Sequence, residues 1–169
     1  MGTAAQYSER VDPLVKAANK AIESGLIVVS AVGNNGPNPR SILSPATSRF
    51  VISVGACDDR KASDISGATI PTFSSRGPTK DRIKKPDLLA PGVNITSLSS
   101  VDSSGYSALT GTSMAAPIVS GAVALLLQKH PNLTHFEAKK LLIESCTKIG
   151  GNQFEEGAGV LNLNKLFEI

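Results

Sequence analysis

Gly111-Thr112-Ser113-Met114-Ala115-Ala116-Pro117 runs without a break into Ile118-Val119-Ser120-Gly121-Ala122-Val123-Ala124-Leu125-Leu126-Leu127-Gln128-Lys129. Residues 113–129 read as one apolar helix. Because it is apolar nearly all round, it is expected to be central and buried. A serine at the mouth of such a helix has unpaired backbone N–H groups and the positive end of the helix dipole beside it. Both favour a developing oxyanion next to the hydroxyl. Small neighbours at Gly111, Ala115 and Ala116 let a carbonyl group approach closely. Pro117 is placed near the first turn, where some N–H groups are free in any case. Read by itself, the heptad is more simply a helix start, capped by Thr112 or Ser113, whose small residues only pack.

Working outward, the chain alternates helix and strand. Asp12-Pro13 opens a segment with apolar residues at Leu14, Val15, Ala18, Ala21 and Ile22. That is helical spacing, with Asp12 as cap, Pro13 at the first helical position and Gly25 as the stop. Leu26 to Ala31 and Phe50 to Ala56 are short runs rich in β-branched residues, which predict buried strands of a parallel sheet. A loop rich in Gly, Asn and Pro joins them. From Asp58 to Ser107 the prolines forbid long helices, while 93–97 and 106–109 predict short strands. Thr134-x-x-Glu137 is a capping box opening an amphipathic helix that ends near Thr147. Gly157 to Val160 predicts a turn into a short strand, followed by a last helical turn or two. The expected class is α/β.

With 169 residues, 41% of them hydrophobic and 18% charged, the chain forms one domain or a large piece of one. Aromatics are only 4%, with no Trp, so the core is built from Val, Ile, Leu and Ala. The net charge of +3 and the run Lys80, Arg82, Lys84, Lys85 lack interleaved aromatics that would stack on bases. The run reads as a solvated loop, and no nucleic-acid partner is expected. No unbroken apolar run reaches about 18 residues, so no membrane partner is expected either. Cys57 and Cys146 read as small buried hydrophobes, with a disulfide between them left open and no zinc spacing. No GxxxxGK[ST] or GxGxxG follows a strand, which removes a nucleotide-binding domain.

The heptad 111–117 is very similar to the nucleophile motif of the subtilases, the subtilisin-like serine proteases, and it does not stand alone. Ala31-Val32-Gly33-Asn34-Asn35-Gly36 resembles the family's strand end whose Asn donates to the oxyanion. Phe73-Ser74-Ser75-Arg76-Gly77-Pro78, Lys85-Pro86-Asp87-Leu88-Leu89-Ala90-Pro91-Gly92 and His130-Pro131 follow in the family's order. The resemblance runs from about Gly25 to the C-terminus. It implies the C-terminal part of a doubly wound, mostly parallel sheet, with residues 1–169 as a partial catalytic domain. It implies further that Ser113 is the nucleophile of a serine endopeptidase acting on peptide or protein substrates. The Asn34 amide and the Ser113 N–H would bind the tetrahedral oxyanion. Ser113 and Asn34 should then lie roughly 5–8 Å apart, because both must reach one carbonyl. Ala31, Val32 and Gly33 would form one wall of the specificity pocket and Gly2 the opposite wall. At Ile118 many members carry a His that is not the catalytic one.

The family's Asp and His are not found here. No Asp-Ser/Thr-Gly or His-Gly-Thr motif occurs. His130 lies 17 residues after Ser113 along one helix, roughly 25 Å away at 1.5 Å per residue. A general base must come within about 3 Å of the hydroxyl, or act through one water. His135 lies beyond the same helix end. Both histidines therefore read as structural or exposed. The chain is expected to be inactive alone, with the missing N-terminal half of the domain as its partner and self-association covering the surface left open. The alternative is a non-catalytic, subtilase-like binding or assembly module. No cofactor is expected for the chemistry. Calcium often binds to family members, but no compact carboxylate cluster assigns a site, so the metal set is empty. The absence of a visible leader does not fix a compartment.

Overall fold

The computed structural model describes residues 2–102 and 104–168. Asp12 Oδ1 accepts from the N–H groups of Leu14 (2.9 Å) and Val15 (3.2 Å), starting α1 (Pro13–Glu23). Gly25, at φ +90°, lets the chain turn out of that helix as expected. The chain then forms β1 (Val29–Ala31) and β2 (Ile52–Cys57). A third strand, β3 (Leu88–Pro91), was not expected. It completes a parallel sheet in the order β1-β2-β3. All six residues of β2 are buried, as befits a central strand covered on both faces. β4 (Ile95–Leu98) and β5 (Tyr106–Leu109) form a separate antiparallel hairpin.

Helix α2 (Thr112–Lys129) lies across all three parallel strands. It is not buried all round. Thr112, Ala115, Val119, Ala122, Val123 and Leu126 face the sheet, while Ser120, Gly121, Ala124, Leu125 and Gln128 are exposed. A single sheet covers only one side of a helix, and no described residue covers the other. Its 18 residues and mean hydropathy of 1.2 reach those of a bilayer-spanning helix, but its buried stripe is committed to the sheet.

The capping box at Thr134 and Glu137 forms as expected and starts α3 (His135–Glu144); α4 (Leu163–Glu168) ends the chain. Val160 bridges Leu89 and Thr147, which extends the sheet beyond β3. Cys57 and Cys146 are free thiols, each pushed up to about 12 by burial.

One part of the basic run is not a solvated loop. Lys85 is wholly buried (0%), and its ammonium donates to Asp87 Oδ2 (2.7 Å) and to the Val51 carbonyl (3.0 Å). Asp87 Oδ2 also accepts from the N–H and hydroxyl of Ser53, both at 2.7 Å. Lys139 of α3 completes the cluster at 3.1 Å from the same oxygen. Burial pushes Lys85 down to about 8, against the attraction of Asp87. Burial would raise the Asp87 carboxyl, but the two ammonium groups outweigh it and hold the group below the usual carboxylate range.

His135 is buried as well. Its Nδ1 accepts from the Val28 N–H (3.3 Å), which puts the proton on Nε2, donated to the Phe50 carbonyl (2.9 Å). Burial therefore holds the ring's pKa below its ordinary 6.5. Below about pH 6.5 the unfolded chain takes up a proton that the native ring refuses, so acidification costs stability. The urea midpoint should fall as pH drops below that value. It should fall less in His135→Gln, which keeps an acceptor and a donor but does not titrate. Equal falls in both proteins would remove His135 as the cause.

Candidate active site

The site forms where the end of β1 meets the start of α2. After Ala31 the chain continues through Val32, whose N–H still pairs with the Val54 carbonyl (3.0 Å), and turns at Gly33, φ +104°. Three bonds from the 73–75 segment hold this turn. Ser75 N–H donates to the Gly33 carbonyl (3.0 Å), Asn35 N–H to Ser75 Oγ (3.0 Å), and Gly36 N–H to the Phe73 carbonyl (2.9 Å). The Phe73-Ser74-Ser75 motif is thus a brace for the loop that carries Asn34.

On the other side, Gly111 donates its N–H to the Gly92 carbonyl (2.8 Å) and caps α2 with φ +154°, without a side-chain cap. Helix α2 then begins with Thr112, whose N–H donates to Asn34 Oδ1 (2.9 Å). Its hydroxyl donates to the same oxygen (3.0 Å) and accepts from the Gly33 N–H (3.2 Å). A backbone N–H can only donate, so the carboxamide oxygen must face Thr112 and its NH2 must face away. Asn34 Nδ2 lies 3.0 Å from where a Cβ on Gly111 would sit. Only glycine admits the amide there without displacement. The carboxamide NH2 has no partner among the described residues.

Ser113 is the second residue of α2 and is exposed. The N–H of Thr112 is taken by Asn34 and that of Met114 by the Gly111 carbonyl (3.0 Å). The Ser113 N–H has no partner among the described residues, and it lies at the positive end of an 18-residue helix. Pro117 is the sixth residue of α2, past the first turn, contrary to expectation. Its missing N–H removes the donor that would have bonded the Ser113 carbonyl, loosening the ladder at that residue. The two residues named from sequence are thus brought to one corner, each with a donor left free.

The pocket residues fare unevenly. A Cβ on Gly33 would meet Leu43 Cγ at 2.5 Å, and one on Gly2 would meet Leu43 Cβ at 3.2 Å. Thr3 and Ser44 exchange backbone bonds of 3.1 and 2.9 Å, which holds Gly2 opposite the end of β1. Gly2 and Gly33 therefore converge on Leu43, and Ala31, the last residue of β1, is half-buried. The Val32 side chain is wholly buried (0%) in a cluster with Ile42 and Ala46, so only its backbone is left to face a substrate. Sequence reading missed Leu43, for which there was no signal, and missed the bracing role of Thr112.

No imidazole reaches this corner. His130 follows the last residue of α2, about 27 Å along the helix axis from its start, and His135 is committed to Val28 and Phe50. Among the described residues, no group of three or more His, Cys, Asp or Glu side chains converges to hold a metal.

The family model described as the subtilase family matches residues 1–160. Serine protease AprX of Bacillus subtilis (strain 168) is 43% identical over 180 residues, covering 95% of this chain and 40% of that protein. Subtilisin DY of Bacillus licheniformis is 37% identical over 152 residues, covering 89% and 50%. Among solved structures, sphericase superposes with a TM-score of 0.79 at 25% identity, covering 96% of this chain and 55% of its own. The prenylagaramide maturation protease PagA gives 0.76 at 30% identity, covering 99% and 58%. The chain therefore spans 40–50% of the length of AprX and subtilisin DY.

Because Thr112 is buried, Thr112→Val leaves the Gly33 N–H without an acceptor and should cost about 1–3 kcal/mol. Thr112→Ser should retain most of that stability. Chemical denaturation of the two variants decides it, and equal stabilities would discard the hydroxyl as the brace.

Proposed function

This chain belongs to the subtilase family, and we propose that it carries the nucleophile and oxyanion site of a serine endopeptidase whose general base lies outside these 169 residues. The observation that carries this reading is the carboxamide of Asn34. Thr112 fixes its oxygen and so leaves its NH2, together with the Ser113 N–H, to donate at one corner. Ser113 Oγ attacks the carbonyl carbon of a peptide bond while its proton passes to the base. The carbonyl oxygen becomes an oxyanion held by those two donors. The tetrahedral intermediate then expels the amine, which takes the proton back, and leaves an acyl group on Ser113 for water to remove. The substrate is a peptide or protein, and the segments at Gly2 and at Ala31 to Gly33 flank the side chain next to the bond cut.

The open surfaces support the same reading. A groove of about 500 Å³ lies between the β4–β5 hairpin and the start of α2, lined by Ile95, Leu98, Leu109, Met114, Pro117 and Ile118. Its lining residue Met114 follows Ser113 in α2. Together with the exposed side of α2, it is the seat for the rest of the domain, which brings the base to the hydroxyl and the carboxylate that orients it. Without that cover, apolar surface of this kind drives self-association.

In the full-length protein, Ser113→Ala should abolish peptide hydrolysis. Asn34→Ala should lower kcat about 10²–10³-fold with little change in KM, the loss known for removing this donor in subtilisin. The 169-residue chain alone should not hydrolyse peptides. Robust hydrolysis by that chain, lost on Ser113→Ala, would place a base within it and overturn the proposal. Light scattering of the isolated chain should report dimers or larger species at high concentration. A clean monomer would count against the seat described here.

A further inference from the structure

Thr112 ties the side-chain end of Asn34, but a different residue ties its backbone. The N–H and carbonyl of Asn34 itself have no partner among the described residues. The peptide planes on either side of it are both held by Ser75. The Ser75 N–H donates to the Gly33 carbonyl (3.0 Å), and Ser75 Oγ accepts from the Asn35 N–H (3.0 Å). A peptide unit is planar, so fixing both planes fixes the two backbone dihedrals of Asn34 and the direction of its Cβ. The hydroxyl lies close against the turn: a Cβ on Gly33 would be 3.1 Å from Ser75 Oγ.

Ser75 is wholly buried (0%) and cannot follow the loop if it shifts, because both its neighbours are fastened elsewhere. Ser74 Oγ accepts from the Ala56 N–H of β2 (3.1 Å). The Arg76 N–H donates to Ser41 Oγ (2.8 Å), and its carbonyl accepts from the Ser41 N–H (3.1 Å).

We propose that Ser75 is a positioning residue of the oxyanion site, its hydroxyl setting the backbone of Asn34 so that the carboxamide NH2 is aimed before substrate arrives. The inference rests on the reading of Asn34 as an oxyanion donor. Thr112 fixes where the carboxamide oxygen sits, and Ser75 fixes the point from which the side chain starts. With both ends held, the amide donates without reorganisation as charge develops. Being buried, Ser75 touches no substrate and acts through Asn34.

The test is a double-mutant cycle on peptide hydrolysis by the full-length protein. Ser75→Ala keeps the bond to the Gly33 carbonyl and frees only the N–H of Asn35, an exposed residue that water reaches. It should lower kcat about tenfold at unchanged KM, short of the loss of about 10²–10³-fold on removing the donor itself. In the Asn34→Ala background the same substitution should leave kcat unchanged, since no amide remains to be aimed. Ser75→Cys, close in size but a weak acceptor, should repeat both results. If Asn34→Ala itself leaves kcat unchanged, the oxyanion reading fails and this inference with it. If Asn34→Ala lowers kcat but Ser75→Ala does not, or lowers it equally with and without Asn34, this inference alone fails. It fails too if the loss falls on KM, or if neither Ser75 variant folds, since the hydroxyl would then hold the fold.

Discussion

The buried carboxylate of Asp87 sets the position of everything that follows it. An unpaired charge at that depth would be prohibitive, so its partners are fixed: Ser53 through N–H and hydroxyl, Lys85 and Lys139. Pinning Asp87 to Ser53 sets the register of β3 on β2, Val54 opposite Leu88 and Cys57 opposite Pro91. Gly92 then donates to the Cys57 carbonyl (2.9 Å) and accepts from the Gly111 N–H (2.8 Å). A Cβ on Gly92 would lie 2.6 Å from that of Ala56 and 3.0 Å from the Gly111 oxygen, so only glycine lets the two segments meet. Gly111 starts α2, and Thr112 finds Asn34. A slip of one residue between β2 and β3 would invert the faces of the strand and carry Ser113 away from its oxyanion donor.

Local signals were legible wherever the chemistry is local. The Asp12-Pro13 start of α1, its Gly25 stop and the capping box at Thr134 all form as the sequence predicts, because each satisfies its backbone groups within a few residues. β1 and β2 follow from runs of β-branched residues. β3 was hidden by Pro86 and Pro91, which suggest turns. They are tolerated because one precedes the strand and the other ends it. Lys85 read as solvated because a charge run shows its own sign but not its partners, and the carboxylate that buries it is paid for by Ser53 and Lys139, far away in sequence. Helix α2 was read as wholly buried because composition gives the apolarity of a helix and not the number of layers around it.

The site divides along the same line. That Ser113 and Asn34 meet at one corner was legible because both lie in short motifs that resemble a known family's. Thr112 sits in the same motif, yet its role depends on Gly33, 79 residues away in sequence, and only the fold shows that one hydroxyl joins the Gly33 N–H to the Asn34 oxygen. Leu43 carries no chemistry and cannot be picked out from sequence. The burial of the Val32 side chain between Ile42 and Ala46 is likewise set by the fold, since alternate residues of an extended segment face opposite ways.

On the proposed reading two positional demands arise, for oxyanion donors and for a base, and this chain supplies residues for the first alone. The proposed oxyanion donors are a backbone N–H and a carboxamide whose orientation is dictated by another backbone N–H. Their geometry is therefore set by bonds internal to β1, α2 and the 73–75 brace. Such donors need no reorganisation when charge develops, which is where their catalytic value lies. For a base, by contrast, the chain offers no imidazole near the start of α2, and beside Met114, Pro117 and Ile118 it presents an apolar groove. On the proposed reading, the polar half of the chemistry is thus built into hydrogen bonds of this chain, and the proton acceptor is left to whatever packs against this apolar surface.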